Sequence, residues 1–406
     1  MSGNRLHTLY LCYFGLREPL VQTQVLPYLR EIKKIDELKV SLLTFEPDYK
    51  EKWSAEQMEA EKKKLVEENI SWHCLPYHKR PSVPATLYDV LNGVRFVVRL
   101  SRKEKIDILH ARAHIPMLMA LIATKFIGSQ IIFDIRGLMA EEYADAGTWQ
   151  ENSKRFRFIK RIERKGIEKA AQIVVLTNQM RDYLIENKLK KIENIEVIPC
   201  CVDFMRLDRK GETIEKNKRF ELIYAGSVIG LYLLREMGSF FLELKKHKPN
   251  GFFRILTTSP LPIIQEAFNK LGISKNDYAV IKVSPDDVPK YLKQAHLGIS
   301  FRKPTFAQIA ASPTKIPEYL ACGLPIIAND GIGDTTEITI EDKIGVIIEE
   351  FSPEKYRKAL IELEKLLENK KKLAERCRES AKVRFDLQSV GGARYKNLYR
   401  RLLEKD

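Results

Sequence analysis

Short apolar runs alternate with amphipathic stretches along this chain. Residues 9–14 form a continuous apolar run that predicts a buried strand. After Gly15 an apolar period near 3.6 predicts a helix over residues 22–35. Strands are predicted at 40–45 and 70–75 around a helix at 57–68. A helix at 86–102 and strands at 106–110, 130–135 and 173–176 continue the series. Residues 206–218 (RLDRKGETIEKNK) are polar, lack apolar periodicity and read as a linker. Beyond them the pattern restarts, with strands at 221–224, 252–256, 280–283, 297–300, 325–328 and 346–348 and a helix at 232–246. Such alternation implies parallel sheets covered on both faces. The expected fold is therefore α/β with two Rossmann-like domains, 1–205 and 219–383, joined by the linker. The stretch 353–404 is strongly helical, and 384–406 is expected as a helix crossing back to the first domain. Ligands of such sheets bind at the carboxyl ends of the strands; two sheets facing each other would form one deep cleft.

Length and composition agree with this picture. A chain of 406 residues exceeds one ordinary core and fits two domains of about 200 residues each. The 44% hydrophobic and 30% charged shares are those of a folded protein that lives in water. The N-terminus enters a strand-like run without the charged region, long apolar core and cleavage site of a secretory signal. The longest apolar stretch, 117–128, contains Lys125 and is too short to span a bilayer. Cys12, Cys74, Cys200, Cys201, Cys322 and Cys377 show no framework spacing, so all six are expected as thiols, which suits the cytoplasm. The net charge of +15 fits nucleic acid, an anionic membrane face or phosphorylated substrates. No helix-turn-helix, zinc finger or aromatic platform supports nucleic acid. Much of the charge also fits solvated helix faces.

The segment AASPTKIPEYLACGLPIIANDGIGD, residues 310–334, carries the most specific chemistry. Thr314 suits a helix cap and Pro317 the first turn, while Gly323 and Pro325 end the helix before a strand. A helix start beside Ser312, Pro313, Thr314 and Lys315 is a ready site for a diphosphate. Glu318 follows Lys315 at i+3, where its carboxylate could accept from two adjacent hydroxyls, as on a ribose. The same spacing also suits an exposed ion pair on a capped helix.

This segment resembles the donor-binding signature of GT-B fold glycosyltransferases, closest to family 4. That family places a Glu in a short helix, followed by a small-residue-Gly-x-Pro-hydrophobic run. Glu318, Gly323 and Pro325 match. The resemblance implies that Glu318 binds the donor ribose. The family's preceding Glu, eight positions earlier, falls at Ala310, a departure from its pattern. The run ELIYAGS, 221–227, resembles the first strand and glycine turn of the family's C-terminal domain, with Gly226 and Ser227 at the donor phosphate or acceptor. The Arg usual after this glycine is absent, and no Lys follows before Lys245, so Lys315 is expected to supply the charge.

In the first half, Gly15 stands where the family has a glycine loop near acceptor and phosphate. ILHARAH, 108–114, ends a strand where family members carry a catalytic-site His. Ungapped alignment puts Arg112 there and a two-residue slip puts His114 there; both remain candidates, while His110 reads as buried structure. Asp134 and Arg136, in FDIRGLMAEE, are acceptor-binding candidates or else a loop-fixing pair. No Asp-x-Asp or His/Cys cluster marks a metal site, and neither metal nor other cofactor is expected.

The resemblance implies a retaining glycosyltransferase taking a nucleotide-sugar donor, with a glycan or lipid-linked acceptor, in polysaccharide or glycoconjugate synthesis. Without a carboxylate at 310, a front-face mechanism is expected, with Lys315 stabilising the leaving diphosphate. A nucleotide-sugar 2-epimerase of the same fold, or a degenerate nucleotide-sugar-binding protein, are the alternatives. The stretches 154–169 (KRFRFIKRIERKGIEK) and 94–105 pair basic with apolar residues and suggest peripheral contact with an anionic membrane; core packing of Phe156 and Ile159 is the other reading.

Overall fold

The computed structural model describes residues 6–78, 80–208 and 215–404. The chain divides into two compact units. Met1–Ala144, Trp149–Pro199 and Gln388–Asp406 form the first; Asp145–Thr148 and Cys200–Leu387 form the second. Both are α/β with wholly parallel sheets, as the alternation predicts.

Among the described residues the first unit holds seven strands: β1 (Leu6–Cys12), β2 (Leu38–Pro47), β3 (Ile70–Tyr77), β4 (Ile108–Arg112), β5 (Gln130–Asp134), β6 (Gln172–Val175) and β7 (Ile195–Val197). Their order is β3-β2-β1-β4-β5-β6-β7, so the winding reverses between β1 and β4. Register puts Cys12 opposite Arg112 and Arg112 opposite Asp134, which brings three carboxyl-end residues level across adjacent strands. The helix Ala393–Leu403, last in sequence, belongs to this unit and buries Tyr395, Leu398, Tyr399 and Leu402.

Two expectations change here. The single helix expected over 22–35 is two, Pro19–Gln24 and Leu26–Ile32. Pro27 cannot donate a backbone hydrogen bond, so the second helix restarts around it. The helix Lys154–Lys169 turns Phe156, Ile159, Ile162, Glu163, Gly166 and Ile167 inward, a stripe at helical spacing that packs into the unit. Phe156 and Ile159 are thus core residues, and only Phe158 of the three interleaved side chains is exposed.

The second unit holds β8 (Glu221–Ala225), β9 (Phe252–Leu256), β10 (Tyr278–Ile281), β11 (Leu297–Ser300), β12 (Ile326–Asn329) and β13 (Gly345–Ile348). The order β10-β9-β8-β11-β12-β13 reverses between β8 and β11. One face buries Phe240, Phe241, Phe253 and Phe268 around the helices Leu234–His247 and Leu261–Leu271. The other buries Tyr319, Leu320, Leu373 and Cys377 under the helices Lys315–Ala321 and Lys370–Phe385. Part of the linker expected at 206–218 is the helix Phe204–Asp208; residues 209–214 of it lie outside the described residues. All six cysteines are thiols, none joined in a disulfide.

Candidate active site

In the second unit the site residues gather where the sheet reverses. Gly226, directly after β8, has φ +134°, a backbone setting that L side chains rarely adopt, and its N–H donates to the Leu256 carbonyl at 2.9 Å. A Cβ there would meet the Lys315 Cε at 3.3 Å and Nζ at 3.4 Å, so the ammonium lies directly over the turn. Tyr319, one helical turn beyond Lys315, explains this placement: its Oη accepts from the Ala225 N–H at 2.8 Å, tying the helix to the end of β8.

Lys315 is 5% exposed. Its Nζ lies 3.4 Å from the Tyr224 Oη, 4.7 Å from the Tyr224 ring centroid and 4.1 Å from that of Tyr232. No carboxylate lies within ion-pair distance of it among the described residues. Cation–π contacts and hydrogen bonding to tyrosine hydroxyls offset only part of the cost of burying an ammonium. Burial therefore lowers its pKa; Tyr232 and the charge of Glu318 pull the other way, and the like charge of Arg302 adds to the lowering. A cation held without a counter-ion is suited to an anionic ligand.

The other donor candidates are nearby but engaged differently from the expectation. Glu318 does not pair with Lys315. Its Oε1 accepts from the Arg206 Nη2 at 2.7 Å, and Arg206 also donates to the Pro285 carbonyl. The Ser312 hydroxyl accepts from the Cys200 N–H at 3.2 Å. Thr314 makes no side-chain cap: at φ −55°, ψ −26° it is already helical, so its hydroxyl does not address the orphan amides of the turn. Pro313 is buried, Ser227 is exposed and accepts from the Ile229 N–H through its hydroxyl at 3.2 Å, and Ala310 is fully buried.

In the first unit Gly15 packs against the end of β2, where a Cβ would fall 2.7 Å from the Pro47 Cδ and 2.9 Å from the Glu46 Oε2. Glu46 accepts from the Leu16 N–H at 2.9 Å and so fixes the loop. Asp134 is fully buried. Around its carboxylate stand Arg136 at 2.9 Å, Arg112 at 3.6 Å, His110 at 3.7 Å and the hydroxyls of Tyr10 and Tyr395, each at 3.3 Å. Burial pushes this carboxyl upward, but Arg136, His110 and Arg112 outweigh it and hold it well below the usual carboxylate range. Of the two alternatives weighed for Asp134 and Arg136, the geometry is that of a charge hub rather than an open surface. Arg112 is 3% exposed and takes part in this hub. His110 is buried against Tyr399, whose Oη lies 2.8 Å from its Nδ1, and burial lowers its pKa. His114 follows Ala113 (φ +66°) at a helix start; its Nε2 lies 3.0 Å from the buried Glu163, which also accepts from Lys160.

Sequence reasoning missed Arg206, Tyr232 and Arg302. Arg206 sits in a stretch read as linker, Tyr232 in one read as helix, and Arg302 in a loop without a motif. Among the described residues no cluster of His, Cys, Asp and Glu is arranged to hold a metal ion, and no helix is long and apolar enough to cross a membrane.

Two family models match the chain: Glycosyltransferase Family 4 over residues 45–206 and Glycosyl transferases group 1 over residues 264–384. Solved structures match over the full length. A glycosyltransferase from Rickettsia africae is 15% identical, with a TM-score of 0.68 and 100% of each chain covered. A sucrose-phosphate synthase from Thermosynechococcus elongatus is 14% identical, with a TM-score of 0.70 over 99% of this chain and 100% of that one. HepE of Anabaena in complex with UDP-glucose is 13% identical, with a TM-score of 0.64 over 97% and 100%. At these identities the structural likeness speaks for the fold. No curated protein matches by sequence.

Proposed function

We propose, from the premise that the chain is a glycosyltransferase of the GT-B type resembling family 4, that it is a retaining enzyme. It transfers a sugar from a nucleoside-diphosphate donor to a glycan or lipid-linked acceptor in surface polysaccharide or glycoconjugate synthesis. The observation that carries the donor assignment is the unpaired Lys315 ammonium over the Gly226 turn. A dianionic or trianionic diphosphate is the ligand that such a site would favour. In the reaction the bond from the anomeric carbon to the diphosphate breaks and one to the acceptor oxygen forms on the same face. The acceptor proton passes to a leaving diphosphate oxygen, and Lys315 stabilises the charge that grows there. No metal is proposed for this step, and Ala310 leaves position 310 without a nucleophile.

Incubation with a panel of nucleotide sugars tests the reading. Release of nucleoside diphosphate together with a glycosylated acceptor supports it. An epimerised donor would assign an isomerase, and binding without turnover a degenerate site. Glu318→Ala is expected to weaken donor binding about ten- to a hundredfold, the loss of a charged hydrogen bond of about 1.5–3 kcal/mol. Unchanged affinity in calorimetry would remove Glu318 from the site.

The acceptor side is proposed to work at the cytoplasmic face of an anionic membrane. Arg155, Arg157 and Arg161 are exposed on the helix Lys154–Lys169, whereas Lys160 is held by Glu141 and Glu163. On the helix Ser82–Glu104, Val83, Leu87 and Leu91 are exposed at four-residue spacing and lead into exposed Arg95 and Arg99. Each basic residue near such a leaflet contributes about 1 kcal/mol. The protein is expected to sediment with anionic but not neutral vesicles, and to lose this when Arg95, Arg99, Arg155 and Arg157 become Gln. No sedimentation with anionic vesicles at low salt would point to an acceptor free in solution.

A further inference from the structure

Arg302 and Lys315 share one aromatic ring. The Arg302 guanidinium carbon lies 5.1 Å from the Tyr232 ring centroid, and the Lys315 Nζ 4.1 Å from the same centroid. The ring is held by backbone rather than by chance. Tyr232 and Arg302 form an antiparallel bridge, the Leu233 N–H donates to the Phe301 carbonyl at 3.1 Å, and the Lys303 N–H to the Leu231 carbonyl at 2.8 Å. The Arg302 N–H also donates to the Asn329 Oδ1 at 2.8 Å, which ties the residue to the end of β12.

Three arginines of this unit meet carboxylates: Arg254 with Glu221, Arg384 with Asp342, Arg206 with Glu318. Arg302 and Lys315 pair with none among the described residues, and the buried Nε of Arg302 has no hydrogen-bond partner. Two like charges repel over one ring, and among the described residues no carboxylate lies at ion-pair distance from either to neutralise them. What relieves them is an anion with charge on two neighbouring centres.

We infer that Arg302 supplies the second positive charge of the donor-diphosphate site, with Tyr232 as the positioning residue that sets it beside Lys315. The inference rests on the donor reading of the Gly226–Lys315 site proposed above. Arg302 would bind the phosphate remote from Lys315 through its guanidinium, so that recognition depends on both phosphates. Orthophosphate and nucleoside monophosphates, offering one centre, would gain less.

Calorimetry of the full chain with inorganic pyrophosphate, orthophosphate, UDP, GDP, ADP and UMP tests this, with circular dichroism to confirm folding. Arg302→Gln should weaken pyrophosphate and the preferred nucleoside diphosphate about ten- to a hundredfold, the loss of a charge-assisted contact, and UMP much less. Arg302→Lys should recover part of the loss. Tyr232→Ala, which removes the ring both cations face, should lose affinity as Arg302→Gln does. Arg302→Gln protein with wild-type affinity for pyrophosphate and the nucleoside diphosphate overturns the inference alone. Wild-type protein that binds none of the probes overturns both it and the donor reading.

Discussion

Lys315→Met is expected to lower turnover about a hundred- to a thousandfold, the usual cost of removing one group aimed at developing charge, and yet leave the protein as stable or more so. The two effects have one cause. Lys315 is 5% exposed and faces two tyrosine rings without a carboxylate. Met keeps the volume and the aromatic contacts and removes a buried charge, while the Tyr224 hydroxyl keeps the bond it donates to the Ser227 carbonyl. A stability gain paired with an activity loss is what a functional, uncompensated charge predicts. The pH dependence follows. Burial lowers the folded pKa of Lys315 below the ordinary lysine value. Below that lowered pKa both folded and unfolded chains carry the proton, and the folded state bears the full burial cost. As pH rises through it, the folded chain releases its proton while the unfolded chain keeps it, so stability rises with pH in this window. Diphosphate affinity falls over the same window, because the ligand needs the ammonium. Steady-state kinetics and melting curves of the variant read both. A large fall in melting temperature accompanying the activity loss would show that Lys315 merely holds the helix Lys315–Ala321 in place.

The parts of this arrangement differ in how far the sequence exposes them. Strands such as 297–300 and 325–328 are short apolar runs between turn signals, and they form close to where they are read because burial on both faces demands that composition. Lys315 and Glu318 are marked by a local motif, and a local motif survives folding. Their partners are not local. Lys315 reaches Gly226 because Tyr319 bonds to Ala225, a contact spanning 94 positions. Glu318 meets Arg206 across 112. Nothing in the spacing of either segment encodes the other. Tyr232 could be missed because apolar periodicity runs on into the helix Leu234–His247, whereas the residue itself is held in a bridge to Arg302. The inward stripe of the basic helix Lys154–Lys169 was present as 3.6-residue periodicity, but composition alone left docking and core packing equally open.

The same non-locality governs the first unit, and there it predicts a stability effect. Asp134→Asn is expected to destabilise that unit by about 3–5 kcal/mol, the range seen when one partner of a buried ion pair is removed. For a domain of this size that corresponds to a melting-temperature drop of about 6–20 °C. Asn fills the same space and can still accept from Tyr10 and Tyr395, so the loss isolates charge. It leaves Arg112, 3% exposed, and Arg136 without the one carboxylate they share. Tyr395 comes from the helix Ala393–Leu403, and its hydroxyl also accepts from the Arg136 Nη2 at 3.1 Å. Protection of that helix against hydrogen exchange should therefore fall first. The pH dependence separates this from simple loss of packing. The Asp134 carboxyl is held well below its ordinary value in the folded state. Its contribution is fully present above the unfolded pKa of about 3.9 and is lost as pH falls through that value toward the folded one. The gap in melting temperature between wild type and Asp134→Asn should thus be widest near neutrality and close progressively below about pH 4. A gap that stays constant with pH would assign the effect to packing, and an Asn variant melting with wild type would show that the two arginines need no counter-ion.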